Sequence, residues 1–172
     1  MTTADLSLPE TFARMRSAQA REPYPDWTSR ARRLRSLAAL MQDHRDAIAA
    51  AIAADFGRRP GEETDLLEIF PSRAGIQHAL KHGRRWMRSR RRWAGFWFLP
   101  ARTEVRPQPL AVVGIIVPWN YPLSLAIGPM TDPMEAGNPL LVKMSELTPP
   151  FSALFADLIA KQFTPAGTTV VN

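Results

Sequence analysis

Three observations predict an α/β chain in which N-terminal helices lead into part of a parallel sheet. Residues 28–87 place apolar side chains at three- and four-residue steps, the period of a helix. Over 110–117 the chain becomes a continuous apolar run rich in Val and Ile, which reads as a strand buried on both faces. Two further apolar runs, 139–142 and Thr168–Val171, follow at intervals that leave room for crossover helices. The expected organisation is helices first, then βαβαβ, with no internal repeat and no low-complexity linker.

Taken in order, residues 10–21 suggest a short helix ahead of Pro23 and Pro25. From Thr28 the stripe Ala31, Leu34, Leu37, Ala38 and Met41 marks a longer one, leaving Arg30, Arg32, Arg33 and Arg35 mostly on other faces. A second helix over 43–56 is rich in alanine, with Ile48 and Ile52 on one stripe, and Gly57 and Pro60 stop it. Glu62, Glu63, Thr64 and Asp65 supply the acidic start of a third. Its apolar face is Leu66, Ile69, Phe70, Ile76, Leu80 and Met87, and Pro71 must kink it or begin a new segment.

Residues 93–105 change register: Trp93, Phe96, Trp97, Phe98 and Val105 suggest one or two exposed or interface strands with a turn near Pro100. After the strand 110–117 comes a helix centred on 123–127 and ended by Gly137 and Asn138. Pro133 would cost about 3 kcal/mol in its interior, and Glu135 puts a charge beside it. The strand 139–142 is followed by an amphipathic helix after Thr148 and Pro149, with Leu154, Phe155, Leu158 and Ile159 inside. The last strand, Thr168–Val171, falls at an uncovered sheet edge.

The 172 residues suffice for one domain with a sizeable core, and 45% hydrophobic with 22% charged is an ordinary globular balance. There is no cysteine, which excludes a disulfide framework, a thiolate metal site and a cysteine nucleophile on this chain. The opening MTTADLSLPETF has no basic stretch followed by an apolar one. No apolar run approaches the roughly 20 residues of a membrane span, so a cytoplasmic protein is expected. The net charge of +6 is concentrated in residues 30–35 and 84–92.

The candidate site lies beyond the carboxyl ends of the first two strands, where open α/β sheets bind ligands. Pro118, Trp119, Asn120 and Tyr121 break the first strand and leave an amide at its end, while Lys143, Ser145 and Glu146 follow the second. An amide fixed there can donate to an oxyanion, or it can serve as a turn residue bonding its own backbone. Lys143 and Glu146 suit the hydroxyls of a ribose, or make a surface ion pair worth at most about 1 kcal/mol. Gly114 stands alone, so a glycine-rich pyrophosphate turn is not supported.

Elsewhere, the arginines of 84–92 with Trp86 and Trp93 interleaved offer phosphate binding and stacking. Arg84, Arg88 and Arg92 at four-residue steps read better as a solvated basic face or an intersubunit contact. His78 and His82 have ligand spacing, but Ala79 stands where a metalloprotease needs Glu and no third ligand is evident, so no metal is expected. Glu62, Glu63 and Asp65 read as helix-start residues, not a catalytic pair.

VPWNYPL followed by AGNPLLVKMSELTP closely resembles the aldehyde dehydrogenase superfamily in its P-W-N turn, A-G-N turn and K-x-S-E segment. The 23-residue step from Asn120 to Lys143 also suits that family. The upstream text RRWMRSRR…FLPARTEVRPQPLAVVGIIVPWNYPL looks most like the coniferyl-aldehyde dehydrogenase branch, and the resemblance runs from about Ser29 to the end. It implies a Rossmann-like cofactor domain without the first-strand glycine fingerprint, and oxidation of aldehydes to acids with NAD or NADP. The carboxylate of Glu146 favours NAD. In the site, the resemblance makes Asn120 the donor to the substrate oxygen of the thiohemiacetal. It puts Lys143 and Glu146 at the adenosine ribose, Ser145 with them in the cofactor site, and Ile116, Val117, Pro118 and Trp119 along the cofactor cleft.

The resemblance further implies that residues 93–108 reach towards an oligomerisation region, with a homo- or hetero-oligomer as the assembly. The family's cysteine nucleophile and glutamate base lie downstream of these motifs. The chain therefore reads as the N-terminal part of such an enzyme, inactive alone: 1–92 helical, 93–108 a β segment, 109–172 the start of the βαβαβ. Ala111 stands where relatives usually carry Gly. The alternatives are a non-catalytic module that docks onto full-length relatives, and a basic nucleic-acid binder.

Overall fold

The computed structural model of the chain describes residues 7–172, so the reading of residues 1–6 lies outside it. Helices α1 (Leu8–Arg21), α2 (Trp27–Asp43), α3 (Arg45–Phe56), α4 (Gly61–Thr64) and α5 (Phe70–Trp86) come first. A small antiparallel hairpin, β1 (Arg90–Arg92) with β2 (Thr103–Val105), separates them from the sheet. Then follow β3 (Val113–Ile116), α6 (Ser124–Ala136), β4 (Leu140–Lys143), α7 (Pro149–Gln162) and β5 (Thr168–Val171). The expected order of helices and then βαβαβ is what the chain adopts.

Strands β3, β4 and β5 are parallel and lie side by side in chain order, with Val113 opposite Leu140 and Ile116 opposite Lys143. Right-handed crossovers between strands laid down in one direction bring α6 and α7 to the same face. On that face Ile115, Leu140 and Val142 join Ile127, Met130, Phe151 and Phe155 in one core. A second helical layer of α2, α3 and α5 packs on α6 and α7. Its inward side chains, Leu34, Leu37, Met41, Ile48, Ile52 and Ile76, are fully buried. The helix starts and stops follow local chemistry: Asp26 accepts the Ser29 N–H at 2.7 Å to cap α2, and Gly57, at φ 75°, ends α3.

Several expectations need correction. The first strand is not buried on both faces. Both crossovers go to one side, so Gly114 and Ile116 lie on a face that no described element covers, and Ile116 is 86% exposed. The inward stripe of the third helical stretch keeps Ile69 and Ile76, with Leu80 packed beside them, but Thr64, Glu68, Ser72, Ala79 and Gly83 fill the rest, and Leu66 and Phe70 face out. Small residues win there because α5 packs closely on α6: a Cβ at Gly83 would come within 2.6 Å of the Trp27 ring and closer still to the Glu135 carboxylate. Between α4 and α5 runs a π-helical turn, Asp65–Ile69, in which Phe70 N–H reaches back to Asp65 O. That wider turn gives Pro71 its entry without a break.

The helical part ends at Trp86 and not at 92, because Arg90–Arg92 pair with Thr103–Val105. Arg88 and Arg92 are therefore not on the helix face of Arg84, and Trp93, Phe96, Trp97 and Phe98 occupy the hairpin's connection instead of a strand. Arg30 and Arg33, expected off the apolar stripe of α2, turn to backbone carbonyls. Arg30 donates to the carbonyls of Pro25 at 2.7 Å, Ala136 at 2.6 Å and Glu135 at 3.3 Å, and Arg33 to those of Asn138 and Gly167 at 3.1 Å. A buried guanidinium at the carboxyl end of α6 meets carbonyls that have no helical partner. As expected, the helix after β3 ends at Gly137, at a left-handed φ of 94°, and α6 runs through both Pro129 and Pro133 to reach it. Prolines four residues apart remove backbone bonds along one stripe only, and Gly128, Pro129 and Asp132 on that side are open to water.

Candidate functional site

Beyond the strand ends, the parallel ladder continues for one more rung on each side. Val117 N–H donates to Lys143 O at 2.9 Å, and Met144 N–H to Val171 O at 3.0 Å. Residues 118–121 and 144–146 therefore leave the sheet along one edge. Ile116 and Lys143 are register partners on the open face, so the ammonium stands beside an exposed apolar side chain. Lys143 Nζ donates to Glu146 Oε2 at 3.0 Å and to Met144 O at 2.6 Å. The Glu146 backbone N–H, and then Lys143, hold this carboxyl below its ordinary range, leaving it a charged acceptor in solvent.

The other residues of the set divide between solvent and core. Pro118 and Asn120 are exposed, and Trp119 is half-exposed with its ring stacked on Phe56, centroids 6.2 Å apart. Among the described residues the Asn120 side chain makes no bond to its own turn, so its amide is not engaged as a turn former. Val117 is buried and presents no side chain. Ser145 is turned inward: its hydroxyl accepts the Leu147 N–H at 3.2 Å, and its carbonyl accepts the Ser152 hydroxyl at 3.1 Å. It shapes the entry to α7, which fixes where Glu146 emerges.

Sequence reasoning missed what holds the Asn120 turn. Glu68, with 0% of its surface exposed, accepts the N–H groups of Leu123 and Ser124 on Oε2 at 2.7 and 3.1 Å. Its Oε1 accepts Arg59 Nη1 at 2.9 Å, and Arg59 Nη2 donates to Asn120 O at 3.0 Å. The guanidinium lies 4.0 Å from the Phe56 ring centroid and 5.0 Å from that of Tyr121. Burial pushes the Glu68 carboxyl up, and the two backbone N–H groups with Arg59 pull against it. The available signal was a lone carboxylate embedded in Leu66, Leu67, Ile69 and Phe70.

The second anchor is Asn138 of the A-G-N turn, buried at the foot of β4. Its Oδ1 accepts the N–H groups of Leu110 and Ala111 at 2.7 and 3.1 Å, and its Nδ2 donates to Pro133 O at 3.1 Å. One side chain thus ties the segment entering β3 to the end of α6. Outside this region, His78 and His82 stack with rings 4.2 Å apart, and His82 Nδ1 sits 2.9 Å from His78 O. Among the described residues no third His, Asp or Glu joins them. No helix of the described residues is long and apolar enough to cross a membrane.

Chemically, the rim offers an uncommitted amide donor at the end of β3. At the end of β4 it offers an ammonium and a carboxylate that can donate to and accept from vicinal hydroxyls. An uncovered strip over Gly114 and Ile116 lies between them, with nothing within 4 Å of a Cβ at Gly114. This donor set and open face fit the ribose end of a dinucleotide.

The model of the aldehyde dehydrogenase family matches residues 8–172. A probable coniferyl aldehyde dehydrogenase of Pseudomonas aeruginosa is 46% identical over 160 residues, covering 93% of this chain and 34% of that protein. The coniferyl aldehyde dehydrogenase of Pseudomonas sp. strain HR199 is 41% identical over 158 residues, covering 92% and 32%. Among solved structures, the substrate-bound state of Staphylococcus aureus AldH superposes with a TM-score of 0.91 at 23% identity, covering 96% of this chain and 36% of that one. The chain thus spans about a third of the length of the relatives it matches. Carrying the family's pattern from α1 to β5 on the family's α/β scaffold, this chain belongs to the aldehyde dehydrogenase family.

Proposed function

We propose that this chain is the N-terminal, cofactor-side portion of an NAD(P)-dependent aldehyde dehydrogenase of the coniferyl-aldehyde type, oxidising aldehydes to carboxylic acids. The observation that carries the reading is the parallel β3–β4 pairing, which sets Asn120 and the Lys143–Glu146 pair on one edge of the sheet. In this reading Asn120 donates its amide N–H to the oxygen that becomes negative when a nucleophile adds to the aldehyde carbonyl. Loss of such a donor costs about 2.7–4 kcal/mol of transition-state energy. Lys143 and Glu146 bind the adenosine ribose hydroxyls, with Ser145 fixing the turn that carries Glu146. Ile116, Val117, Pro118 and Trp119 form the wall along which the cofactor lies. When bound, the nicotinamide takes up the hydride released on oxidation. The carboxylate of Glu146, unfavourable beside a 2′-phosphate, supports NAD over NADP.

The chain has no cysteine, so the thiol nucleophile comes from outside these residues, and the resemblance places the base that activates water downstream as well. Divided as 1–92, 93–108 and 109–172, with the helical boundary drawn back to Trp86, the chain supplies the oxyanion donor and half of the adenosine site. It is inactive alone, and its assembly is a homo- or hetero-oligomer in the cytoplasm. The test is to co-express it with the catalytic portion of the Pseudomonas aeruginosa relative and follow NADH formation from an aromatic aldehyde. Activity that needs both pieces supports the reading, and no activity in any pairing removes it.

A further inference from the structure

We infer that Arg59 and Glu68 are positioning residues for Asn120, an assignment that rests on the proposed role of Asn120 as oxyanion donor. The turn from Pro118 to Leu123 belongs to neither β3 nor α6; Tyr121 O accepts the Leu125 N–H at 3.0 Å and Leu123 O the Ile127 N–H at 2.9 Å, but no ladder or helical bond reaches Asn120 itself. Asn120 and the entry to α6 instead meet on one pair, Glu68 fully buried and Arg59 with 11% of its side chain exposed. Arg59 takes the Asn120 carbonyl at 3.0 Å, and Glu68 takes the first two N–H groups that lead into α6 at 2.7 and 3.1 Å. The pair closes on itself at 2.9 Å, and the Phe56 and Tyr121 rings hold the guanidinium plane.

A buried ion pair is weak evidence for stability, since well-packed apolar residues of similar volume often do as well. Position is a different matter. Arg59 meets Glu68, Asn120 and two aromatic faces at once, and only a planar fork can do that; an ammonium would satisfy one acceptor at a time. Fixing the carbonyl of Asn120 fixes its peptide plane and hence its Cα–Cβ direction. A donor about 1 Å out of place loses on the order of 100-fold in rate.

The experiment is a double-mutant cycle on the co-expressed pair described above, with Arg59→Lys, Glu68→Gln and Asn120→Ala. Arg59→Lys should lower kcat about 10- to 100-fold and leave both KM values within about twofold. In the Asn120→Ala background the same change should cost less than about twofold, because there is no donor left to misplace. Equal losses in both backgrounds, or no loss from Arg59→Lys, overturn the positioning role while Asn120 keeps its own. No loss from Asn120→Ala overturns the oxyanion reading itself, and the positioning role with it. Apart from activity, 15N NMR of the 172-residue chain tests whether the pair fixes the turn. Arg59→Lys and Glu68→Gln should shift and broaden the Trp119, Asn120 and Tyr121 signals and leave those of Leu37 and Phe155 in place. Unmoved turn signals overturn the assignment.

Discussion

Replacing Glu135 by Gln should remove most of a pH dependence of stability built into the α5–α6 contact. Glu135 lies in the last turn of α6 with 6% of its surface exposed, its carboxylate against Gly83. Among the described residues no donor hydrogen-bonds to that carboxylate. Burial first, and then Asp132, raise its pKa from the ordinary 4.5 to about 7, against an opposing pull from Arg30. The folded chain therefore keeps this proton to higher pH than the unfolded chain does. The sign follows: the stabilisation is full below 4.5, declines as pH rises, and is gone above about 7. At 1.36 kcal/mol per pH unit, that window is worth about 3 kcal/mol. Urea unfolding of the wild-type chain and Glu135→Gln, on both sides of the window, isolates it. Titration of Asp55 and Glu68, raised, and of Glu10 and Asp26, lowered, cancels in the difference. The variant should gain about 3 kcal/mol on the wild type between acid and neutral pH. A difference that stays constant across the window would refute the reasoning.

Three further changes test the packing. Gly83→Ala forces a methyl into the Trp27 ring and the Glu135 carboxylate and should destabilise by about 1–3 kcal/mol in thermal or urea unfolding. Ala111 sits at φ 135°, a conformation that strains a side chain, so Ala111→Gly should stabilise by about 1 kcal/mol after glycine's larger entropy loss. Asn138→Ala strands the Leu110 and Ala111 N–H groups and should cost about 2–4 kcal/mol, with faster hydrogen exchange at both amides.

Much of the fold was legible because apolar period and turn residues act locally. Leu34, Leu37 and Met41 announced α2, Gly137 announced the end of α6, and the 139–142 run announced β4, each within its own segment. What escaped was set by partners far away in sequence. Arg59 and Glu68 hold a turn more than fifty residues later, and Arg30 caps a helix more than a hundred residues on, distances at which residue type carries no sign of the match. The close face of α5 was misread because Ser72, Ala79 and Gly83 carry no apolar period, whereas the outward Leu66 and Phe70 do. Strand β1 was invisible because three arginines have little β propensity, and pairing with β2 overrides it. An apolar run also reads the same whether one face is covered or two, so the exposure of Ile116 depends on which way the crossovers turn. In the site, Lys143, Glu146 and Asn120 emerge on the expected edge, while the inward turn of Ser145 required the α7 hydroxyls to be seen.

The account stands most directly on how the two halves of the rim divide the kinetics of the paired enzyme. Asn120→Ala should lower kcat about 100- to 1,000-fold with the cofactor KM nearly unchanged, and Lys143→Ala should raise the cofactor KM with the smaller effect on kcat. Wild-type kcat in the first variant together with a wild-type cofactor KM in the second would contradict a shared dinucleotide site at the ends of β3 and β4.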